Sequence, residues 1–309
     1  MTSVKYLVWI AFAVALVPAL RAGTHCPGDV ASVPLRLVNG YQMIVKVSIN
    51  HSGPYEFLLD TGTQFTMIDP SLAADLHLDS TGSAQVTGNG FHTTSFTVEL
   101  DRLEVGPHAV DNLEAFVFDV QNVRPHNPNL RGILGEDFLL QFDMLIDNGR
   151  RILCLDDSTV LRAALKGPRI SLQTASATQG VPANSLIFAV RLSDKTRPIR
   201  LKLDSGANAP ILYNASHFKP VDEYRGHSLR SSGADGSETA VVALPLQDVK
   251  IGRVQVPNIR FFALADPQDR SIPSDFDGLL PMRLFQRVFI SQAESFAILE
   301  PRLDATLSF

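Results

Sequence analysis

Two stretches of this 309-residue chain end an apolar run in the same way: Phe57-Leu58-Leu59-Asp60-Thr61-Gly62-Thr63 and Leu201-Lys202-Leu203-Asp204-Ser205-Gly206-Ala207. An acid, a hydroxyl residue and a glycine in succession are ordinary turn chemistry when they occur once. Their recurrence, each time after a strand-like run and before another, marks Asp60 and Asp204 as a pair. Two carboxylates brought face to face cannot both ionise cheaply, so one keeps its proton and the pair titrates as a unit. Such a pair can hold a water. The charged acid takes its proton as it attacks a carbonyl, and the neutral acid donates to the carbonyl oxygen. Thr61 and Ser205 can each offer a hydroxyl to the opposite loop. Gly62 and Gly206 let the backbone turn sharply and aim an N–H at the acid. Thr63 can donate to Asp60, whereas Ala207 has no hydroxyl for Asp204. By that inequality Asp60 is expected to be the base and Asp204 the acid. A raised second ionisation then carries the chemistry into weakly acidic pH.

The elements that must position the two acids also repeat. Asp204 follows Asp60 by 144 residues, and Met144-Leu145-Ile146-Asp147 matches Val288-Phe289-Ile290-Ser291 at the same offset. Val105-Gly106, Asn112-Leu113, Phe116 and Gly132 match Ile251-Gly252, Asn258-Ile259, Phe262 and Gly278 at 146. So constant an offset over half the chain means an internal duplication, and its length describes two lobes, not a solenoid. Within the first half, Tyr41 to Ile49 alternates with a period of two and predicts a strand. His51 to Pro54 is expected as a turn, Tyr55 to Leu59 as the next strand, and Asp69-Pro70 as the start of a short helix. A hairpin is expected around Gly90, Phe91 and His92, and polar and small residues mark a linker around Asp156 to Gly180. Short strands and turns fill nearly everything else, so the fold class is all-β.

Composition narrows the setting. Apolar residues make up 45% of the chain, ample for two cores, and the net charge of -5 with no basic block argues against a nucleic-acid partner. Lys5 followed by the apolar run Tyr6 to Leu20 has the layout of a secretory signal peptide, with an uncleaved anchor as the alternative. The domain reading is a signal peptide at 1–22, a first lobe at 23–165 and a second at 166–309. Export makes the localisation secreted or periplasmic, with no stable membrane association after cleavage. Cys26 and Cys154 either pair in an oxidising compartment or remain two thiols, and the sequence supports both equally. The eight histidines never take metal-ligand spacing. Asp143 and Asp147 flank a strand and are expected as turn or surface acids.

The pairing of Asp60-Thr61-Gly62-Thr63 with Ile133-Leu134-Gly135, and of Asp204-Ser205-Gly206-Ala207 with Leu279-Leu280, resembles the aspartic proteases of the pepsin and retropepsin kind. The resemblance spans about Pro34 to Leu299, in a two-lobed single chain of bacterial type. It implies a double-ψ β-barrel in each lobe, a cleft between them and a hairpin flap over the cleft, with Gly90, Phe91 and His92 as flap candidates. It implies peptide-bond hydrolysis by Asp60 and Asp204, supported by Thr61, Gly62, Thr63, Ser205, Gly206 and Ala207. The substrate is then a peptide or protein, and neither metal nor cofactor is called for. Two motifs in one chain imply a self-sufficient monomer. Pro281 stands where the second lobe should have a glycine, and the flap has no Tyr. Those departures keep open a catalytically silent module that binds peptide or protein in its cleft.

Overall fold

The computed structural model describes residues 25–88, 91–123, 127–175, 185–193, 197–214, 218, 221, 229–265 and 275–302. In chain order the first half contributes β1 (Ser32–Pro34), β2 (Arg36–Val38), β3 (Gln42–Ile49), β4 (Ser52–Leu59), β5 (Met67–Ile68) and helix α1 (Pro70–Asp75). It continues with β6 (Ser80–Gly88), β7 (Phe91–Val105), β8 (His108–Val117), β9 (Leu130–Leu134), α2 (Glu136–Leu139), β10 (Asp143–Asp147), β11 (Ile152–Asp156) and α3 (Val160–Ala164). The second half holds β12 (Ile170–Ser171), β13 (Ile187–Leu192), β14 (Ile199–Asp204), β15 (Ile211–Leu212), β16 (Leu229–Ser232), β17 (Glu238–Ile251) and β18 (Val254–Leu264). It ends with β19 (Gly278–Pro281), β20 (Phe285–Ser291) and β21 (Phe296–Pro301).

The duplication is visible strand for strand. Strands β3-β4-β9-β5-β8-β7 form a ring closed by the β3–β7 pairing, and β13-β14-β19-β15-β18-β17 form a second ring closed by β13–β17. Each ring is a closed barrel, which leaves few sheet edges exposed to unwanted pairing. The register repeats too: Phe57, Leu58 and Leu59 lie beside Gly132, Ile133 and Leu134, and Leu201, Lys202 and Leu203 beside Gly278, Leu279 and Leu280. Both pairings are parallel. The all-β, two-lobed class expected from the sequence is the one observed.

A third sheet, β1-β11-β10-β20-β21-β12, takes three strands from each half and joins the lobes. Its central pairing sets Met144, Leu145 and Ile146 against Ile290, Phe289 and Val288. Here Asp143 and Asp147 depart from expectation, because both are buried. Asp143 accepts from the Gln292 N–H at 2.8 Å and pairs with Arg162 at 3.1 Å, while Asp147 pairs with Arg287 at 3.3 Å. A carboxylate at a strand end reads as a surface acid until a second lobe is docked over it.

Several boundaries also differ. β4 begins at Ser52, taking in the residues expected as a turn, because Ile49 and Ser52 already pair across the hairpin. The alternation of β3 is blurred: Gln42 and Ile44 are buried along with Met43 and Val45, since the sheet is covered on both faces. α1 starts as expected, with the Asp69 carboxylate accepting from the Ser71 N–H at 3.0 Å. Cys26 and Cys154 form a disulfide, which ties the segment before β1 to β11. No helix among the described residues is long and apolar enough to cross a membrane. Residues 1–22 lie outside the described residues.

Candidate active site

Each acid sits at the end of a barrel strand, over a second strand that runs parallel to it. The Asp60 N–H donates to the Leu134 carbonyl at 3.0 Å, and Asp204 lies in register with Pro281. The two loops then meet across the lobe boundary. The Thr61 N–H donates to Ser205 Oγ at 3.0 Å, and the Ser205 N–H donates to Thr61 Oγ1 at 3.1 Å. In return Thr61 Oγ1 donates to the Leu203 carbonyl at 2.9 Å and Ser205 Oγ to the Leu59 carbonyl at 2.8 Å. Both residues are buried. Each hydroxyl accepts one bond and donates another across the boundary, so truncating either one orphans two buried partners in the opposite lobe.

This cross-lobe clamp brings the carboxylates together. Asp60 Oδ1 accepts from the Gly62 N–H at 2.7 Å, and Oδ2 accepts from the Thr63 hydroxyl at 2.8 Å. Asp204 Oδ1 accepts from the Gly206 N–H at 2.7 Å and the Ala207 N–H at 3.1 Å. The glycines matter for a reason the sequence hid. A Cβ on Gly62 would lie 2.6 Å from Asp204 Cγ, and one on Gly206 would lie 2.7 Å from Asp60 Oδ1. Each glycine therefore makes room for the acid of the other lobe. Asp204 is pushed up to about 8, first by burial, then by the charge of Asp60 and a hydrogen bond shared with it. Lys202 and the Gly206 N–H pull the other way. The direction matches the expectation from Ala207, but burial and the facing acid, not a missing hydroxyl, are its main causes.

The two lobes support their loops unequally. In the first, the Gly135 N–H donates to Thr66 Oγ1 at 3.2 Å, and that hydroxyl donates to Asp137 at 2.7 Å. Burial raises the Asp137 carboxyl to about 6 against the bonds from Thr66 and Phe138. In the second lobe the matching positions are Pro281 and Pro210. Pro281 has no N–H to give, and Pro210 has no hydroxyl to receive it. The hairpin of β6 and β7 is present, with Gly88 opposite Phe91 and Thr87 opposite His92. Gly90, and the side chains of Phe91 and His92, lie outside what is described.

Sequence reasoning missed one pair next to the acids. Lys202 Nζ lies 3.0 Å from Glu136 Oε2 and donates to the Gly62 carbonyl at 3.1 Å. Ser185 Oγ donates to the same Glu136 oxygen at 2.8 Å. Both charged side chains are almost fully buried, at 2% and 0% exposure. The available signal was a lysine inside the apolar run Leu201-Lys202-Leu203, at the position the first lobe fills with Leu58. Among the described residues no group of acids, histidines and cysteines is arranged to hold a metal.

Comparison with known proteins agrees with this geometry. Residues 45–138 match a family model described as aspartyl protease. Over the whole chain the fold is similar to the aspartic proteinase from Irpex lacteus, at 12% identity, covering 89% of this chain and 98% of that one, with a TM-score of 0.51. A retropepsin-like aspartic protease from Rickettsia conorii also matches, at 17% identity over 41% of this chain and 92% of that one, with a TM-score of 0.31. No curated protein matches the sequence. The family model thus covers a segment of the first lobe, and the fold over both lobes is similar to that of the Irpex lacteus aspartic proteinase.

Proposed function

We propose that this chain is an aspartic endopeptidase, with Asp60 and Asp204 as its catalytic acids. The observation that carries the reading is the facing pair itself: buried Asp204 lies against Gly62 of the first loop, half-buried Asp60 lies against Gly206 of the second, and burial with the facing acid raises the Asp204 carboxyl. In this mechanism, whose logic is taken over from aspartic proteases as a class, ionised Asp60 accepts a proton from a water held between the acids. Protonated Asp204 donates to the oxygen of the substrate peptide carbonyl as the water oxygen attacks its carbon. The tetrahedral intermediate collapses when Asp204 takes back a proton from one of the intermediate's hydroxyls, the proton on Asp60 passes to the leaving nitrogen, and the peptide C–N bond breaks. Acid–base assistance of this kind contributes roughly 10²–10⁴-fold.

The Thr63 hydroxyl donates to Asp60 Oδ2, while burial and the facing acid raise the Asp204 carboxyl, so the proton-donor role falls to Asp204. The substrate is a polypeptide. An exported setting is supported by the Cys26–Cys154 disulfide, since such bonds persist in oxidising compartments.

The test is digestion of a denatured protein by the full chain and by Asp60→Asn, with fragments read by mass spectrometry. Internal cleavage by the wild type and none by the variant is the expected result. Cleavage that persists in Asp60→Asn ends the dyad reading. Peptide binding without turnover by the wild type makes the cleft a binding module.

A further inference from the structure

The pseudo-symmetry of the two lobes pairs Lys202 with Leu58 and Glu136 with Met282, so one copy of this arrangement is ionic and the other apolar. Burying two charges carries a desolvation cost that mutual attraction does not readily offset, and an apolar pair of similar size is often as stable. In the other copy the two positions are apolar: Leu58 and Met282 are each buried at the equivalent places. Stability alone therefore gives a weak account of why the ion pair stands on this side.

Its geometry gives a better one. Lys202 belongs to the second lobe, yet its ammonium donates to the carbonyl of Gly62 in the first. That carbonyl belongs to the peptide unit leading into Thr63, whose hydroxyl holds Asp60 Oδ2 at 2.8 Å. Gly62 also gives its own N–H to Asp60 Oδ1. One cation thus pins the loop that orients the opposite acid. Lys202 and Asp204 are two residues apart on β14, so their side chains leave the strand on the same face. The charged groups around this point are Asp60 and Lys202 acting on Asp204, and Glu136 behind Lys202. Glu136, held in turn by Ser185, fixes the ammonium where it can reach Gly62.

We infer that Lys202, anchored by Glu136, is a positioning residue for the acid pair: it fixes the Gly62–Thr63 peptide and keeps a positive charge beside Asp204. This inference rests on the protease reading, but its first readout does not need activity. The full chain is labelled with ¹³C at aspartate carboxyls, and the Asp60 and Asp204 signals, assigned through Asp→Asn variants, are followed against pH. In the double variant Lys202→Met/Glu136→Gln the cation is gone, and the Asp204 midpoint moves up by about one pH unit. In Glu136→Gln the cation is left unopposed, and the midpoint moves down. kcat falls about tenfold in the double variant while KM stays within twofold, because substrate-binding surfaces are untouched.

If the double variant folds and its carboxyl midpoints superpose on the wild type, the pair is scaffold only and the inference fails. Glu136→Gln, read the same way, decides the matter should the double variant not fold. A wild type that never cleaves peptide, with a displaced Asp204 midpoint in the variants, ends the protease reading and leaves this one standing. Cleavage with unmoved midpoints does the reverse.

Discussion

In the first lobe, Gly135 hands its N–H to Thr66, and Thr66 passes its own hydroxyl to Asp137. In the second lobe the same three positions are Pro281, Pro210 and Arg283, and that relay cannot form. Ala207 likewise replaces Thr63, offering a backbone N–H where the first lobe offers a hydroxyl. At the lobe boundary itself the copies stay equivalent: Thr61 and Ser205 each accept the other's N–H, and each donates its hydroxyl to a carbonyl of the opposite strand, Leu203 or Leu59. The comparison separates two features of a duplicated site. Holding the acids in register needs symmetry, because both loops must present hydroxyls to each other. The environments of the acids are not symmetric: Asp204 is buried and Asp60 half-buried, and burial with the facing acid is what raises Asp204.

The strongest way to break this picture is to remove an acid. Asp60→Asn or Asp204→Asn should each lower kcat/KM for a quenched fluorescent peptide by about 10²–10⁴-fold or more. A variant of either acid that keeps most of the activity would mean the halves do not act as one site.

The protonation asymmetry should also appear in stability. The carboxyl of Asp204 lies near 3.8 in the unfolded chain and at about 8 when folded, so between those values the folded state holds a proton that the unfolded state releases. Its contribution to stability is then full below about pH 4 and declines as pH rises through about 8. Urea unfolding midpoints of the wild type minus those of Asp204→Asn should fall across that window. A flat difference would place the shared proton elsewhere.

Symmetry of the clamp predicts similar penalties on both sides. Thr61→Val and Ser205→Ala should each cost about 1–3 kcal/mol in equilibrium unfolding, because each leaves buried partners unsatisfied. Sharply unequal costs would show that one lobe carries the junction. The smallest effect is expected from Ala207→Thr, which gives Asp204 the hydroxyl that Asp60 already has. A donor to the charged form lowers a carboxyl, so the basic limb of the pH–rate profile should move down by about half a unit to one unit. No movement would mean that burial alone governs Asp204.

Much of this was legible in the sequence. The repeat of Asp60-Thr61-Gly62 as Asp204-Ser205-Gly206 marked the acids. The steady offset from Val105 to Ile251 and from Gly132 to Gly278 marked the two lobes. Alternation and turn residues located most strands, since those signals are local. Pro281 was visible as a lost donor, but not the loss of its acceptor, because Thr66 and Pro210 meet those positions only through the fold. Asp143 and Asp147 looked like surface acids because their cover, Gln292 and Arg287, lies more than a hundred residues away.

The sequence by itself determined the fold class, the duplication and the identity of the facing acids, because each is written in residue type and spacing along the chain. Only the tertiary structure decided that each glycine clears space for the opposite acid, that Cys26 and Cys154 are joined, and that Lys202 and Glu136 meet beneath the site. These depend on distances between the two lobes, and a chain read one residue after another carries periodicity and propensity but no distance across a cleft.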